Sequence, residues 1–421
     1  MKVLVIGGGG REHAIIKKLK ENKRVEKIFC CPGNGGISAD AECVKIKATD
    51  IELMVGFAKQ NSIDFAVVAP DDPLVAGMVD ALNNEGIKTF GPNKAAAIIE
   101  GSKVFSKNLM KKYNLPTARY EVFENSSDAI AYIKAANEFP VVIKADGLAL
   151  GKGVIIAQTL DEAVEGVTSI MEDKIFGASG NKIVVEEFLT GPEVSVLAFT
   201  DGKTIKPMVS SMDHKRVYDN DMGPNTGGMG TIAPNPHYNE KIAAECMQKI
   251  FIPTIEAMNK EGRSFSGCLY FGLMLTPKGP YVIEYNCRFG DPETQVVLPL
   301  LETDLLDIML AIYDKKLDQI DIKWKNSAAA CVVMASGGYP KSYETGKRIN
   351  GLDKNGQVDG AFVYHAGTNA IDGEYFTAGG RVLGVASTGG TLAEALQNAY
   401  KAVEKISFEG AHYRKDIGKK A

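Results

Sequence analysis

Two glycine-rich stretches and one acidic strand carry the residue types with which proteins bind phosphate and divalent metal ions. The first stretch, Gly7–Gly10 followed by Arg11, comes between a predicted strand and a predicted helix. Free backbone N–H groups and the positive end of a helix dipole meet at such a point, so an anion, most often a phosphate, is the expected ligand. A purely structural tight turn is the alternative.

The first stretch does not fit a dinucleotide-binding fingerprint. The pattern G-x-G-x-x-G needs a third glycine, but Glu12 or His13 stands there, depending on the glycine that starts the count. The acidic residue expected about 20 positions later is also missing, because Cys30 and Cys31 occupy its place. An NAD-dependent dehydrogenase or a flavin enzyme is therefore disfavoured.

The second stretch, Asp146–Gly153, resembles a P-loop only superficially. Three residues separate Gly147 from Gly151, and Gly153 stands where a P-loop needs Ser or Thr. The stretch joins two predicted strands, and such a hairpin can still close over the phosphates of a nucleotide, with Lys144 pointing a cation at them. An exposed hairpin with solvated lysines is the alternative.

The acidic strand Tyr281–Asn286 is a candidate metal site. Strand alternation puts Glu284 and Asn286 on one face, and the apolar run before them suggests burial. A buried carboxylate beside an amide is costly without a partner, and two oxygen ligands suit Mg²⁺. The next loop, Cys287–Gln295, is dense in charge, with Arg288 placed to meet an anion. A structural ion-pair network is the alternative.

Two other polar segments are candidates for nucleotide and substrate contacts. Val184–Glu193 passes from one strand to the next, where backbone groups can meet an adenine edge and Glu193 can accept from ribose hydroxyls. Asp213–Arg216 and Asn225–Gly230 belong to a long polar connection of a kind that is usually functional. The five histidines are scattered, so neither a zinc site nor histidine catalysis is favoured.

The predicted elements position these segments at strand ends. The first hundred residues alternate strands and helices, which predicts a doubly wound parallel sheet with Gly7–Gly10 and Pro70–Pro73 at the ligand-binding edge. A βαβ-like unit follows over 141–186, then antiparallel strands up to 286, and a further α/β unit from 326. Single helices are predicted over Pro73–Glu85 and Glu240–Asn259.

Composition narrows the class of protein. A chain of 421 residues has room for two to four domains at about 150 residues each. Its 45% hydrophobic and 24% charged residues are typical of globular proteins, and a net charge of −4 excludes bulk attraction to nucleic acid or an anionic membrane. The basic residues near the end of the chain, at 414, 415, 419 and 420, are interpreted as a solvated tail.

The cysteines and the apolar runs indicate the compartment. Seven cysteines without a CxxC pair disfavour a disulfide framework or a zinc site and fit a reducing cytosol. The apolar stretch at the start is too short for a signal peptide, and no run approaches the roughly 20 residues of a membrane span. We expect a cytoplasmic protein.

A set of motifs in fixed order resembles a known family over nearly the whole chain. The motifs are GGGGREHA, GSK at Gly101–Lys103, VVIKADGLALGKGV, VVEEFLTGPEVSV, NTGGMG, YVIEYNCRFGDPETQ and ACVVMASGGYP. Together they resemble the glycinamide ribonucleotide synthetases, ATP-grasp ligases of purine biosynthesis. Arg288–Glu293 is the most specific piece, because other ATP-grasp ligases do not share this string.

The resemblance implies a multidomain α/β fold. Its parts are a doubly wound domain over 1–100, an ATP-grasp domain over 101–324 with a lid at about 120–190, and a C-terminal α/β domain over 325–421. The implied reaction joins glycine to 5-phosphoribosylamine through a glycyl phosphate, with ATP converted to ADP and phosphate. Another ATP-grasp ligase, such as a carboxylase-type purine enzyme or a dipeptide ligase, and a non-catalytic nucleotide sensor are the alternatives.

The expected site residues fall into four groups. Arg288 and Asp291 are expected to be catalytic, and Glu284 and Asn286 to bind Mg²⁺ or Mn²⁺. The expected ATP contacts are Lys103, Lys144, Gly147, Gly151, Lys152, Gly153, Glu186, Glu187, Leu189 and Glu193. The expected substrate contacts are Gly8, Gly9, Gly10, Arg11, Glu12, Asp213, Asn225, Gly227 and Gly228. The expected partners are the three small-molecule substrates alone, without nucleic acid or membrane, bound by a monomer.

Two positions depart from the family pattern. Tyr270 stands where other ATP-grasp enzymes carry a second glutamate, so no ligand is expected there. Asp71 lies in a Pro-Asp-Asp-Pro sequence where Pro-Glu is expected, which leaves its contacts open.

Overall fold

A computed structural model describes residues 1–148 and 153–419 of the chain. Within these ranges no helix is both long and apolar enough to cross a membrane. The chain forms an N-terminal parallel sheet, a small lid sheet, a central antiparallel sheet and a C-terminal sheet, so the predicted α/β class with several sheets is confirmed.

The N-terminal sheet is parallel throughout, with its strands in the order third, second, first, fourth, fifth. Runs such as KVLVIG and FAVV are buried, as expected for a parallel sheet covered on both faces. The order in which strands are added to the sheet reverses between the first and fourth strands, which opens a crevice at their carboxyl ends. The strands are Lys2–Gly7, Lys27–Pro32, Glu42–Cys43, Phe65–Val68 and Lys88–Phe90, and the helices are Gly10–Leu19, Ile51–Gln60, Asp71–Ala76 and Met78–Asn84.

The two long predicted helices are each interrupted. The one predicted over Pro73–Glu85 is two helices, because Gly77 adopts φ +103° and ends the first helix by donating to the carbonyls of Pro73 and Leu74. The one predicted over Glu240–Asn259 runs as Glu240–Cys246, a π-helical turn Met247–Phe251 and Ile252–Lys260. A proline at the second position of the last helix has no N–H for the regular ladder, which explains the interruption.

The lid is a four-stranded antiparallel sheet with two helices and its own small core. Strands Val154–Ala157 and Ile183–Glu187 run parallel to each other on either side of Val141–Ala145, so the βαβ-like unit is a crossover around one antiparallel strand. The fourth strand is Tyr120–Phe123, and the helices are Ser126–Ala136 and Leu160–Met171. Helices Lys94–Gly101 and Lys103–Lys112 connect the lid to the N-terminal sheet.

The central sheet is antiparallel, as the sequence predicts. Its strands, in sheet order, are Ile205–Pro207, Glu193–Thr200, Gly267–Thr276 and Gly279–Asn286. The strand predicted to bear the metal ligands is therefore an edge strand of this sheet. A bulge near Gly272 shifts its pairing register between Val282 and Glu284.

The C-terminal sheet includes two strands from the middle of the chain. In sheet order its strands are Met212–Asp213, Gly230–Ala233, Ala328–Ala335, Arg381–Gly389 and Phe362–His365. The remaining elements are the hairpin Arg216–Tyr218 and Met222–Asn225, the small sheet Arg348–Ile349, Glu374–Thr377 and Thr368–Ile371, and the helices Thr294–Val297, Leu305–Tyr313 and Leu392–Val403. The polar connection from Asp213 to Gly230 is thereby attached to the C-terminal sheet at both ends.

The prediction of a solvated basic tail is wrong for Arg414, whereas Lys415 and Lys419 are exposed and Lys420 lies outside the described residues. Arg414 is 0% exposed, and its guanidinium contacts the carboxylates of Asp416 and Asp221 at 2.7 and 2.8 Å. A buried guanidinium needs such partners, since an unpaired buried charge is very costly. Arg414 therefore fastens the end of the chain to the segment that follows Tyr218.

Candidate active site

The N-terminal glycine loop lies in the crevice of the parallel sheet, as predicted. Gly9 caps the helix Gly10–Leu19, and its N–H donates to the Glu12 carboxylate at 2.6 Å. The N–H of Arg11 faces the Asp291 carboxylate at 3.4 Å. The expectation of N–H groups free for an anion is therefore wrong for these two residues, because carboxylates already accept from them. The backbone at Gly8 touches Gly33 so closely that a Cβ would lie 2.5 Å from its carbonyl oxygen.

Arg11 and Glu12 are bound to each other and to the charged loop. The Nε of Arg11 is 2.7 Å from the Glu12 carboxylate, and its Nη1 donates to the Phe289 carbonyl at 3.2 Å. Both side chains are buried. These contacts hold the charged loop of the central domain against the glycine loop of the N-terminal domain.

Asp291, in the middle of this loop, lies beside the guanidinium of Arg381 and feels the charge of Arg11. Its carboxylate accepts from Gln295 at 2.9 Å and lies 3.5 Å from Nη1 of Arg381. Burial raises the pKa of Asp291, but Arg381 and Arg11 outweigh this effect and hold the pKa below its ordinary value. Asp291 is therefore an ionised carboxylate beside Gly9, where a Cβ would lie 3.3 Å from it.

Arg381 was not predicted from the sequence. Its Nη1 donates to the carbonyls of Gly227 at 2.6 Å and of Asp291 at 2.9 Å. The N–H of Gly227 also donates to the hydroxyl of Tyr339 at 3.1 Å. The C-terminal domain thus holds the predicted substrate-binding segment at Gly227 and the loop of the predicted catalytic residue Asp291 together through one guanidinium.

Arg288 contacts carboxylates of the protein itself. Its Nη2 lies 2.9 Å from Glu100 and 3.8 Å from Asp71, and the N–H of Cys287 donates to Glu100 at 2.7 Å. Although burial lowers the pKa of Arg288, Glu100 and Asp71 raise it further, so the group stays charged. The structural ion-pair network that the sequence left open is therefore present at Arg288, and it shows the contacts of Asp71. The catalytic role of Arg288 stays a prediction.

Lys103 and the predicted phosphate hairpin adjoin each other. The Nζ of Lys103 donates to the carbonyl of Gly147 at 2.9 Å, and the Asp146 carboxylate accepts from Ser102 and from the N–H of Val104. Burial lowers the pKa of Lys103. The predicted ATP contacts Gly151 and Lys152 lie outside the described residues. The carbonyl of Gly153 accepts from Ala145 and closes the hairpin at 2.9 Å.

Lys144 and Glu186 form a buried pair on neighbouring lid strands. The Nζ of Lys144 is 3.0 Å from the Glu186 carboxylate and donates to the Ile283 carbonyl, also at 3.0 Å. Glu187, the next residue, has a different partner, since its carboxylate accepts from the N–H and the Nε of Arg119. The Glu187 side chain is therefore paired at the surface, and its predicted contact with ATP stays a prediction. Leu189 is half-buried in the link that follows.

Lys215 joins the predicted ribose and metal residues. Its Nζ lies 3.1 Å from Glu193 and 3.8 Å from Glu284. Glu193 raises the pKa of Lys215 well above its ordinary value, against the effect of burial. Lys215 belongs to a polar segment that the sequence singles out, although its own role was not predicted.

Glu284 and Asn286 line the cleft, but they are not buried as expected. The Glu284 side chain is 33% exposed, and Asn286 is half-buried. The surrounding protein excludes water and raises the pKa of Glu284. Lys215, Lys144 and Lys103 lower the pKa by more, so the carboxylate is ionised. Within 1–148 and 153–419 no cluster of three or more His, Cys, Asp or Glu could hold a metal ion. One carboxylate and one amide oxygen still fit a Mg²⁺ or Mn²⁺ ion that shares its other ligands with phosphates.

Two acids, the half-buried Asp213 and the buried Glu293, lie beside this cluster. An oxygen of Asp213 is buried without a hydrogen-bond partner in the described structure, and a Cβ on Gly228 would lie 2.6 Å from it. Burial, and then the neighbouring Glu293, raise the pKa of Asp213 well above its ordinary value. Glu293 itself accepts from Ser195 at 3.3 Å. An unpartnered acid in a tight backbone cradle is a binding feature for a small donor group.

Most of the predicted residues therefore meet in two groups. Asn225 lies near them, in a hairpin separated from the lid strand Val154–Ala157 by a cleft of about 340 Å³. The nucleotide group comprises Lys103, Lys144, Gly147, Gly153, Glu186, Glu193, Glu284 and Asn286. The substrate group comprises Gly8, Gly9, Gly10, Arg11, Glu12, Asp213, Gly227, Gly228 and Asp291. Their individual roles stay predictions.

An antiparallel lid facing an antiparallel strand with lysines and acids between them defines an ATP-grasp enzyme. Sequence models of phosphoribosylglycinamide synthetase match the chain as its N domain at 1–100, its ATP-grasp (A) domain at 101–294 and its C domain at 329–420. The chain belongs to this family.

Relatives and solved structures agree with this assignment. A phosphoribosylamine–glycine ligase of Caldanaerobacter subterraneus subsp. tengcongensis is 52% identical over 417 residues, with 99% of each chain covered. The crystal structure of phosphoribosylamine–glycine ligase from Thermotoga maritima has a TM-score of 0.86 at 34% identity, with 99% of this chain and 100% of that chain covered. A Campylobacter jejuni biotin carboxylase has a TM-score of 0.75 at 13% identity, covers 98% of this chain and 92% of its own, and shows the fold alone.

Proposed function

We propose that this chain is a phosphoribosylamine–glycine ligase, which joins glycine to 5-phosphoribosylamine in purine biosynthesis and converts ATP to ADP and phosphate. The observation that carries the proposal is the adjacency of two groups. Lys103, Lys144 and Lys215 surround the ionised Glu284, and the acids Asp213 and Glu293 lie beside them. The family membership of the full chain supports the same substrates.

Each step moves a phosphoryl or an acyl group between the substrates. A carboxylate oxygen of glycine attacks the γ-phosphorus, the bond to the β–γ bridging oxygen breaks, and ADP leaves. The amine of phosphoribosylamine then attacks the carbonyl of the glycyl phosphate. The bond from that carbonyl carbon to the phosphate oxygen breaks, the amine gives up a proton, and phosphate leaves. No protein nucleophile is needed, so positioning and exclusion of water provide most of the rate.

The nucleotide group binds and orients ATP. Lys103 and Lys144 place cations at the phosphates, the backbone at Glu186–Leu189 contacts adenine, and Glu193 accepts from ribose hydroxyls. Glu284 and the amide oxygen of Asn286 would hold Mg²⁺ or Mn²⁺, which neutralises charge on the phosphates when bound. Charges fixed before the reaction stabilise the transferring phosphoryl group more effectively than mobile water.

The substrate group takes glycine and phosphoribosylamine. Glycine carries an ammonium group, and burial and Glu293 raise the pKa of Asp213 although Lys215 and Arg381 lower it in part, so a further cation would stabilise the ionised acid. The ammonium of glycine fits between Asp213 and Glu293, and the tight approach of Gly228 leaves little room for a larger side chain. Phosphoribosylamine binds between the glycine loop Gly7–Gly10 and the segment whose carbonyls accept hydrogen bonds from Arg381.

The chain acts as a monomer in the cytoplasm on these small molecules alone. All seven cysteines are free thiols, and six of them are buried. A negative net charge of −4 gives no electrostatic reason to bind nucleic acid.

Phosphate release with each substrate omitted in turn tests the function. We expect turnover only when ATP, glycine and freshly generated phosphoribosylamine are all present, with one phosphate for each glycinamide ribonucleotide. Equal turnover with bicarbonate or D-alanine in place of glycine would contradict the proposal.

A further inference from the structure

Lys107 lies at the junction of three elements of the nucleotide group. It is 2% exposed, and its Nζ lies 2.9 Å from Oε2 of Glu186 and donates to Oγ1 of Thr117 at 2.7 Å. Thr117 in turn donates to the carbonyl of Val282 at 2.8 Å. The lysine therefore connects its own helix to a lid strand and to the strand that bears Glu284.

Glu186 is shared between two lysines. Its Oε2 faces Lys107 and its Oε1 faces Lys144, whose Nζ also donates to the Ile283 carbonyl. Oε1 of Glu186 has no hydrogen-bond partner among the described residues, so Lys144 meets it as an ion pair, and the N–H groups of Lys144 that the Ile283 carbonyl does not engage remain for a ligand. Lys107, Glu186 and Lys144 form a triad that has one net positive charge when both lysines are protonated. The Glu186 carboxylate is then shared by two cations.

We propose that Lys107 is a positioning residue for ATP, which holds Glu186 so that the positive charge of Lys144 is not neutralised and its remaining N–H groups serve the nucleotide phosphates. This inference rests on the proposed assignment of Lys144 to those phosphates. Without the charge of Lys107, Glu186 pairs with Lys144 alone, and the triad becomes neutral. The phosphates then lose attraction, because the effect of a nearby charge is large at a buried site.

The protonation of Lys107 makes ATP affinity depend on pH. Burial lowers the pKa of Lys107 to about 8, although Glu186 raises it in part. Below that value Lys107 is charged and Glu186 is held, and above it the charge is lost, so ATP affinity falls as the pH rises. The groups that face Lys107 come from the lid and from its own helix: Glu186, Glu187, Lys144, Tyr120 and Lys111, the last of which shares the Tyr120 ring.

The test compares three variants with the wild-type chain. Lys107→Met removes the charge at similar length, Lys107→Arg keeps it at every pH tested, and Lys111→Met removes an exposed lysine one turn further along the same helix. Calorimetric titration with a non-hydrolysable ATP analogue from about pH 7 to about pH 9.5 gives the dissociation constant for each. Thermal unfolding reports whether each variant is folded.

We expect the wild-type dissociation constant to rise roughly five- to fiftyfold with a midpoint near pH 8. Lys107→Met should bind the ATP analogue weakly at every pH, and Lys107→Arg should bind it tightly at every pH, so neither shows the midpoint. Lys111→Met should show the wild-type pH dependence. A titration midpoint that persists in Lys107→Met assigns the pH effect to another group, such as Lys103, and overturns the proposal. If neither Lys107 variant folds, a flat wild-type profile overturns it and a midpoint near pH 8 supports it.

Failure of this inference is distinguishable from failure of the proposed function. A chain that binds the analogue with the expected pH profile but releases no phosphate with glycine and phosphoribosylamine would contradict the function alone. A chain with full glycine-dependent turnover and a flat binding profile would contradict the role of Lys107 alone.

Discussion

Replacing Arg381 by methionine should separate substrate use from nucleotide binding. The guanidinium donates to the carbonyls of Gly227 and Asp291, at 2.6 and 2.9 Å, and the variant loses both hydrogen bonds. A hydrogen bond with a charged partner contributes about 1.5–3 kcal/mol, so two of them contribute about 3–6 kcal/mol. Because the side chain is 21% exposed, water can replace part of this interaction, which leaves about 2–4 kcal/mol.

That free energy should appear in the use of glycine and phosphoribosylamine. If it is spent on holding the substrate segments, kcat/KM for these two substrates falls about 30- to 1,000-fold, since about 1.4 kcal/mol corresponds to tenfold. Affinity for an ATP analogue should stay within about twofold of the wild type, because Arg381 does not contact the nucleotide group. Steady-state kinetics and calorimetric titration measure the two quantities.

Arg348→Met is the matched control in the same domain. Its guanidinium pairs with Glu374 at the surface, with 59% and 45% of the side chains exposed, so its loss costs less than about 1 kcal/mol. Unchanged kcat/KM in a folded Arg381→Met variant would refute the reasoning. So would equal losses for the ATP analogue and the substrates.

Three other substitutions give sharp outcomes. Glu284→Gln should stay folded but lose about 10²–10³ in kcat, measured at limiting Mg²⁺, and unchanged activity would make Glu284 a structural acid. Gly9→Val, whose Cβ would lie 2.8 Å from Glu12 and 3.3 Å from Asp291, should raise KM for phosphoribosylamine, whereas weakening of ATP-analogue binding alone would place the nucleotide at this loop. Burial lowers the pKa of His365 from 6.5 to about 3, so the folded state disfavours its protonation and stability is lost as pH falls below 6.5 towards 3. Urea unfolding should show a shallower acid dependence for His365→Gln, by about 1.4 kcal/mol per pH unit, and an identical slope would contradict this cause.

The sequence predicts the fold well where the cause is local. Buried runs such as Phe65–Val68 and the amphipathic helices between them require only neighbouring residues, and the doubly wound order follows from their alternation. The interruption at Gly77 depends on one residue with positive φ, which the apolar periodicity of Pro73–Glu85 does not register.

The candidate site was predicted less completely, because its key partners lie far apart in the chain. Arg381 contacts Gly227, 154 residues away, and Asp291, 90 residues away, and no spacing pattern in the sequence links them. The sequence predicts that Arg288 meets an anion, but it does not identify Glu100 as that partner. Glu100 lies 188 positions earlier, and only the packed structure shows that its carboxylate is close to Arg288. Sequence motifs therefore identify the segments that form the site, whereas the side-chain partners within it become visible only in the tertiary structure.

Transfer of an isotopically labelled oxygen tests the central claim most directly, namely that the carboxylate of glycine is phosphorylated by ATP. Glycine with ¹⁸O in both carboxylate oxygens is incubated with the chain, ATP and phosphoribosylamine, and the released phosphate is analysed by mass spectrometry. The account predicts one ¹⁸O atom in each phosphate, because the oxygen that attacks the γ-phosphorus leaves with it when the amide forms. Release of phosphate without ¹⁸O, while glycinamide ribonucleotide accumulates, would contradict it.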